Sequence, residues 1–191
     1  QIHPDGVCDY GERFVTEEPE EPEEPEEPTG PVMLDPGLHR LSGGALGLSD
    51  TSRIGTAVAL SRTFFPDPVD EVIVATAATY PDALAAAPLG GLLGVPTLLV
   101  APDHVPDVVV EELARLDPSR ITILGGTDAI GLGVEVTLRE LVEPGTVDRI
   151  AGATRYDTAA KLADAYAELA PVTTVYLASG EGFADSLAGG P

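Results

Sequence analysis

Residues 71–126 carry three short apolar runs separated by segments of helical length, a pattern that few folds accommodate. The runs are Val72-Ile73-Val74-Ala75, Thr97-Leu98-Leu99-Val100 and Ile121-Thr122-Ile123-Leu124. Each is continuous rather than alternating, as expected of strands covered on both faces of a parallel sheet. Parallel neighbours need a long crossover, and the intervening segments are long enough to supply helices. The expectation is βαβαβ, an α/β unit with a mainly parallel sheet.

The flanking sequence extends this pattern. A helix is expected over residues 51–65, with Thr51 or Ser52 as N-cap. Another starts at Asp82, and its Gly90, Gly91 and Gly94 would weaken it unless it lies close against the sheet or a neighbouring subunit. Helices follow over Val105–Leu116, with Pro106 near the first turn, and over Ile130–Leu141. A strand over Val147–Ala151 leads into an amphipathic helix at residues 155–169, and Thr174–Ala178 reads as a further strand.

Laid on itself, the chain repeats. Arg53-Ile54-Gly55-Thr56-Ala57 matches Arg155-Tyr156-Asp157-Thr158-Ala159 at an offset of 102. At an offset of 103, Val74-Ala75 matches Leu177-Ala178, Tyr80-Pro81-Asp82-Ala83-Leu84 matches Phe183-Ala184-Asp185-Ser186-Leu187, and Pro88 falls on Pro191. A period this long is a small α/β domain in tandem rather than a solenoid turn. Gly55 stands where the second unit has Asp157, so the polar role of that aspartate is expected to be missing from the first.

Upstream, residues 17–28 repeat Glu-Glu-Pro. Proline withholds backbone donors and like charges repel, so a disordered, extended spacer is expected. The division expected is residues 1–15 of undetermined character, a Glu/Pro linker at 16–34, a first repeat at 35–148 and a second, cut short, at 149–191. The chain begins at Gln1 and stops within an element, which reads as a piece of a longer protein. His3, Asp5, Cys8 and Asp9 match no metal-ligand spacing, and a single cysteine allows no disulfide framework.

Charge excludes one class of partner. The net charge is −22, and 11 of the 32 acidic residues lie before residue 30, which leaves 21 against nine basic ones in the remainder. Such a surface repels nucleic-acid backbones. No apolar run approaches the roughly 18 residues that span a bilayer.

The order Arg149-Ile150-Ala151-Gly152, Arg155-Tyr156-Asp157-Thr158-Ala159, an aromatic-x-Asp-x-Leu-Ala segment, Pro96-Thr97-Leu98-Leu99 and Ile121–Gly126 resembles the cell wall binding repeat 2 family. Threonine replaces the isoleucine of that family's Pro-Ile-Leu-Leu signature. The resemblance implies a Rossmann- or flavodoxin-like three-layer repeat, in tandem copies packed into a ring-like pseudo-trimer with neighbouring repeats. It implies non-covalent anchoring of a secreted protein on the Gram-positive cell surface through an anionic secondary wall polymer or peptidoglycan. It also implies that Leu98 and Leu99, besides being core residues, border the polymer site.

Several residues are candidates for ligand contact. Gly125 and Gly126, like Gly152, follow strands and precede helices, where backbone N–H groups can hold an anion; alternatively, a side chain at Gly125-Gly126 would clash. Arg53 and Arg155 recur in a cation-poor chain, and an arginine fork suits phosphate or carboxylate. A salt bridge to Asp157 or across a repeat interface is the plainer reading. Asp82 and Asp185 recur at helix starts, as N-caps or ligand contacts. Thr56 and Thr158 stabilise a helix start or touch ligand. No cofactor, metal or catalytic residue is expected: there is no G-x-G-x-x-G or G-x-S-x-G, and His3, His39 and His104 lie far apart. The rival readings are a nucleotide- or flavin-binding enzyme and a self-associating surface-layer module.

Overall fold

The computed structural model describes residues 38–40, 46–175 and 177–182. The Glu-Pro linker, Cys8 and Asp185 lie outside the described residues. A short antiparallel pair, β1 (Leu38–Arg40) and β2 (Leu46–Leu48), precedes α1 (Arg53–Phe64). Then come β3 (Glu71–Thr76), α2 (Pro81–Leu93), β4 (Thr97–Val100), α3 (Asp107–Leu116) and β5 (Arg120–Leu124). α4 (Leu132–Leu141), β6 (Thr146–Ile150) and α5 (Arg155–Leu169) complete the order. β3 to β6 form one all-parallel sheet in the order β4-β3-β5-β6, with Val74 beside Leu98 on one side and Ile123 on the other.

The continuous apolar runs are buried on both faces because two helical layers cover them. Val72, Val74, Leu98, Val100, Ile121 and Ile123 pack toward α1, α3 and α4. Ile73 and Leu124 point the other way, onto Ala86 and Leu89 of α2 and Leu162 of α5. This is the three-layer α/β unit expected from the sequence.

α2 lies close to the sheet through Gly90, where an added Cβ would sit 3.3 Å from the Thr97 hydroxyl and 3.7 Å from Ile73 Cδ1. The other two glycines behave differently. Gly94 caps the helix in the left-handed region at φ +65°, and Gly91 faces open space.

Glu112 of α3 has no exposed surface and ties α1 down. Its carboxylate accepts from Ser61 Oγ at 2.6 Å, Arg62 Nε at 3.0 Å, and Arg115 Nε and Nη2 at 3.0 and 2.6 Å. Arg115 also donates to the Phe65 and Pro66 carbonyls, fixing the chain leaving α1. Burial opposes the charged form of Glu112, but bonds from Arg115, Ser61 and Arg62 outweigh it and hold its carboxyl below the usual range.

The elements differ from the sequence reading in several places. α3 and α4 begin two residues later than expected, at Asp107 and Leu132, with Pro106 as the N-cap of α3. The described residues of 174–178 form no strand, because no described segment offers them a ladder partner. The β1–β2 pair falls upstream of residue 51, where the sequence reading places no element.

Candidate functional site

The strand order reverses at β3. From β3 the chain passes through α2 on one face to the edge strand β4; after β5 it passes to α4 on the other face. The loops after β3 and β5 therefore part company at the carboxyl ends of the strands, the topological switch point where open α/β sheets customarily hold ligands in a crevice.

Gly125 lines this crevice at φ +103°, and any Cβ there would collide with the Asp82 carboxylate. Arg149 on β6 donates to the Gly125 carbonyl at 2.8 Å, and Glu135 orients Arg149 through bonds of 3.0 and 2.8 Å to Nε and Nη2. Asp82 is half-buried in the first turn of α2. Tyr80 rather than Asp82 is the N-cap, and Asp82 in the first turn lies where the helix dipole favours a carboxylate. Burial pushes the Asp82 carboxyl above its ordinary range, against the opposing charge of Arg155.

Arg155 comes from the second unit, so the crevice joins parts of both units. Tyr80 strengthens the junction by donating to the Glu181 carbonyl at 3.3 Å. Among the described residues Arg155 makes no ion pair with Asp157. Its Nη1 donates to the Gly180 carbonyl at 2.8 Å, while the Asp157 carboxylate takes the Thr154 N–H and hydroxyl at 3.0 and 2.8 Å. Arg53 does the same in the first unit, donating to the Ala77 carbonyl at 2.8 Å. Ala77 and Gly180 stand at the repeat offset of 103.

The helix starts repeat as well. Thr56 Oγ1 accepts from Asp50 N–H and donates to the Ser52 carbonyl; Thr158 Oγ1 accepts from Gly152 N–H and donates to the Thr154 carbonyl. Both hydroxyls thus organise their own helix starts. The polar role of Asp157 is not missing from the first unit, contrary to expectation. There the Asp50 carboxylate occupies the space over Gly55 and bonds the Thr51 N–H and hydroxyl, the same kind of donors from the other side of the cap.

Two expected anion cradles are already filled from within: the Gly125 N–H donates to the Ile150 carbonyl at 3.0 Å and the Gly152 N–H to Thr158 Oγ1 at 2.9 Å. Gly126 abuts nothing within 4 Å, so the clash argument holds for Gly125 alone. Leu98 is wholly buried, and Leu99 is half-buried on the opposite face of β4.

The cations sort themselves by location. Arg62, Arg115, Arg120, Arg139 and Arg149 each pair with a carboxylate. Among the described residues, Arg53, Arg155 and Lys161 form no ion pair. All three donate to backbone carbonyls: those of Ala77 and Ala151 just past the carboxyl ends of β3 and β6, and that of Gly180 in the loop after α5. Each keeps further N–H donors. Sequence reasoning singled out neither Lys161 nor Arg149.

A family model described as Cell wall binding domain 2 (CWB2) matches residues 48–135 and 149–191. The N-acetylmuramoyl-L-alanine amidase LytC of Bacillus subtilis (strain 168) is 33% identical over 115 residues, 60% of this chain and 23% of that protein. The amidase enhancer of the same bacterium is 28% identical over 165 residues, 84% of this chain and 22% of that protein. Among solved structures, Cwp6 from Clostridium difficile superimposes with a TM-score of 0.61 at 26% identity, covering 63% of this chain and 19% of its own. The chain spans less than a quarter of the length of each of these proteins.

Proposed function

The chain belongs to the Cell wall binding domain 2 family, and on that premise we propose that it anchors a secreted protein non-covalently to the Gram-positive cell surface. Its tandem repeats, 35–148 and from 149 onward, grip an anionic secondary wall polymer, and the Glu-Pro segment spaces them from the protein they carry. One observation carries the polymer reading. In a chain of net charge −22, three cations that form no ion pair among the described residues, Arg53, Arg155 and Lys161, donate to loop carbonyls, two of them just past the carboxyl ends of β3 and β6. The acidic remainder repels an anionic polymer at long range, but that field is screened within about 8 Å at physiological ionic strength, where arginine forks act.

The contacting residues are Arg53 and Arg155, with Lys161 beside them; Asp82, Gly125 and Gly126 shape the crevice floor. Asp157, Thr56 and Thr158 act on the ligand through the helix starts they hold, and Leu98 and Leu99 through the strand they build. Asp185 is the second unit's counterpart of Asp82. Successive repeats pack into a ring, as α5 packs on α2. Two relatives with different named roles, an amidase and an amidase enhancer, share this stretch, which suits attachment rather than catalysis.

The test is co-sedimentation with purified Gram-positive walls before and after acid removal of secondary polymers. Retention that disappears on stripping is expected. Retention on both would make peptidoglycan the ligand, and no retention on intact walls at any salt or calcium concentration would overturn anchoring.

A further inference from the structure

The two loops at the switch point are closed by one hydrogen-bond pattern. Ala77 follows the last residue of β3, and Gly125 follows the last residue of β5. In each case the N–H donates to the carbonyl that ends the neighbouring edge strand, Val100 of β4 at 2.7 Å and Ile150 of β6 at 3.0 Å. In each case the carbonyl accepts from an arginine Nη1 at 2.8 Å, from Arg53 and Arg149 respectively.

The two arginines differ in how they are held. Arg53 is exposed and forms no ion pair among the described residues. Arg149 and Glu135 have side chains only 15% and 16% exposed, and the carboxylate takes both Nε and Nη2. Burying such a pair costs desolvation that apolar side chains of similar size avoid, so stability alone gives no reason for it. What it secures is position. With Nε and Nη2 held by one carboxylate, the plane of the guanidinium is fixed and Nη1 is aimed at the Gly125 carbonyl. The backbone there has no slack: Gly125 takes φ +103°, and the Asp82 carboxylate occupies the space a Cβ would need.

We propose that Glu135 and Arg149 are a positioning pair that fixes the β5–α4 loop as the rigid wall of the ligand crevice and so sets the gap in which Asp82 and the ligand meet. Neither residue touches the ligand. The inference rests on the reading above, in which that crevice grips an anionic polymer.

The test removes the pair together, Glu135→Leu with Arg149→Met, which leaves the net charge unchanged. Three readouts are compared with the parent 191-residue chain: urea denaturation, the pH titration of the Asp82 carboxyl by carbon-13 NMR without polymer, and the Kd for solubilised wall polymer. The denaturation midpoint is expected to be no lower than the parent's. Burial holds the Asp82 carboxyl up against the charge of Arg155, so a loop that withdraws and admits water should move its titration down toward the ordinary carboxylate range. Kd should rise at least fivefold. Arg149→Lys keeps the charge but lacks the planar fork that spans Glu135 and Gly125, and should move both readouts the same way to a smaller extent. An Asp82 titration that stays in place in the folded double variant overturns the proposal, as does a moved titration with an unchanged Kd. A double variant that fails to fold overturns it too, since the pair would then serve stability. A parent chain that binds no polymer would remove the proposed function, and the Asp82 titration would then decide the positioning role by itself.

Discussion

α1 and α5 are two copies of one helix, and the difference between them shows how a unit of this size divides its stability. α1 is held by its own unit: Val58 enters the core, and Ser61 and Arg62 bond Glu112 of α3. At the equivalent positions α5 has Ala163 and Asp164, which cannot make that bond, and it is held instead by Leu162 against the first unit. The shared helix start is specified by local hydrogen bonds, which recur in both copies. Its anchoring is specified by long-range partners, which do not. Local chemistry thus sets the element, and tertiary context decides which face of it does the packing.

The comparison can be broken most forcefully at Glu112. Glu112→Ala strips Ser61, Arg62 and Arg115 of their common acceptor in a buried site and should cost roughly 3 kcal/mol, read by urea denaturation. α5 should be unaffected by it, as helix-resolved hydrogen exchange would report. Because the folded pKa of Glu112 is depressed from 4.5, its contribution is present above the unfolded value and is lost as pH falls below that value through the folded one. The variant should therefore show a flatter loss of stability in acid than the parent chain.

A second, slightly smaller contrast lies between Leu162 and Leu60, which the repeat offset of 102 aligns. Leu162→Ala removes a buried side chain and should cost about 2–3 kcal/mol, while Leu60→Ala should stay within about 0.5 kcal/mol in the 191-residue chain. Equal losses would mean that the two positions are not as different as their exposures of 4% and 42% indicate.

The smallest effect concerns the caps. Gly55→Asp places a second carboxylate in the space held by Asp50 and should destabilise α1 by about 1 kcal/mol, whereas adding Asp50→Gly should restore it by recreating the Thr154–Asp157 arrangement. A double-mutant cycle followed by thermal melting would give a coupling of about that size; additivity would show that the two carboxylates are not substitutes.

Most of the fold was legible because burial leaves a mark in sequence. Val72–Ala75 and Ile121–Leu124 are apolar at every position since helices cover both faces of the sheet, and Ser52 announces its helix. The site was less legible because its partners are backbone carbonyls, which every residue possesses. Nothing in the sequence marks Ala77, Gly180 or Ala151 as the acceptors for Arg53, Arg155 and Lys161. Asp50 escaped notice because it replaces Asp157 from five residues before Gly55 rather than at the aligned position. Nothing in the sequence marks Glu112 as buried, since the serine that bonds it is distant and its arginines are distant or shared. Thr174–Ala178 has strand composition, but a ladder needs a neighbour.

The central claim is that cations at the carboxyl edge, rather than charge in general, hold the wall polymer. The most direct measurement compares the Kd of the 191-residue chain for solubilised wall polymer with those of two charge-altered variants. One is Arg155→Gln with Lys161→Gln. The other is Arg120→Gln with Arg139→Gln, the same change in charge at two ion-paired arginines whose partners are Asp148 and Glu135. Loss of charge-assisted contacts worth about 1.5–3 kcal/mol should weaken the first variant at least tenfold, and the second should move less than twofold. Equal weakening of both, or weakening of the second alone, would contradict a site at the carboxyl edge.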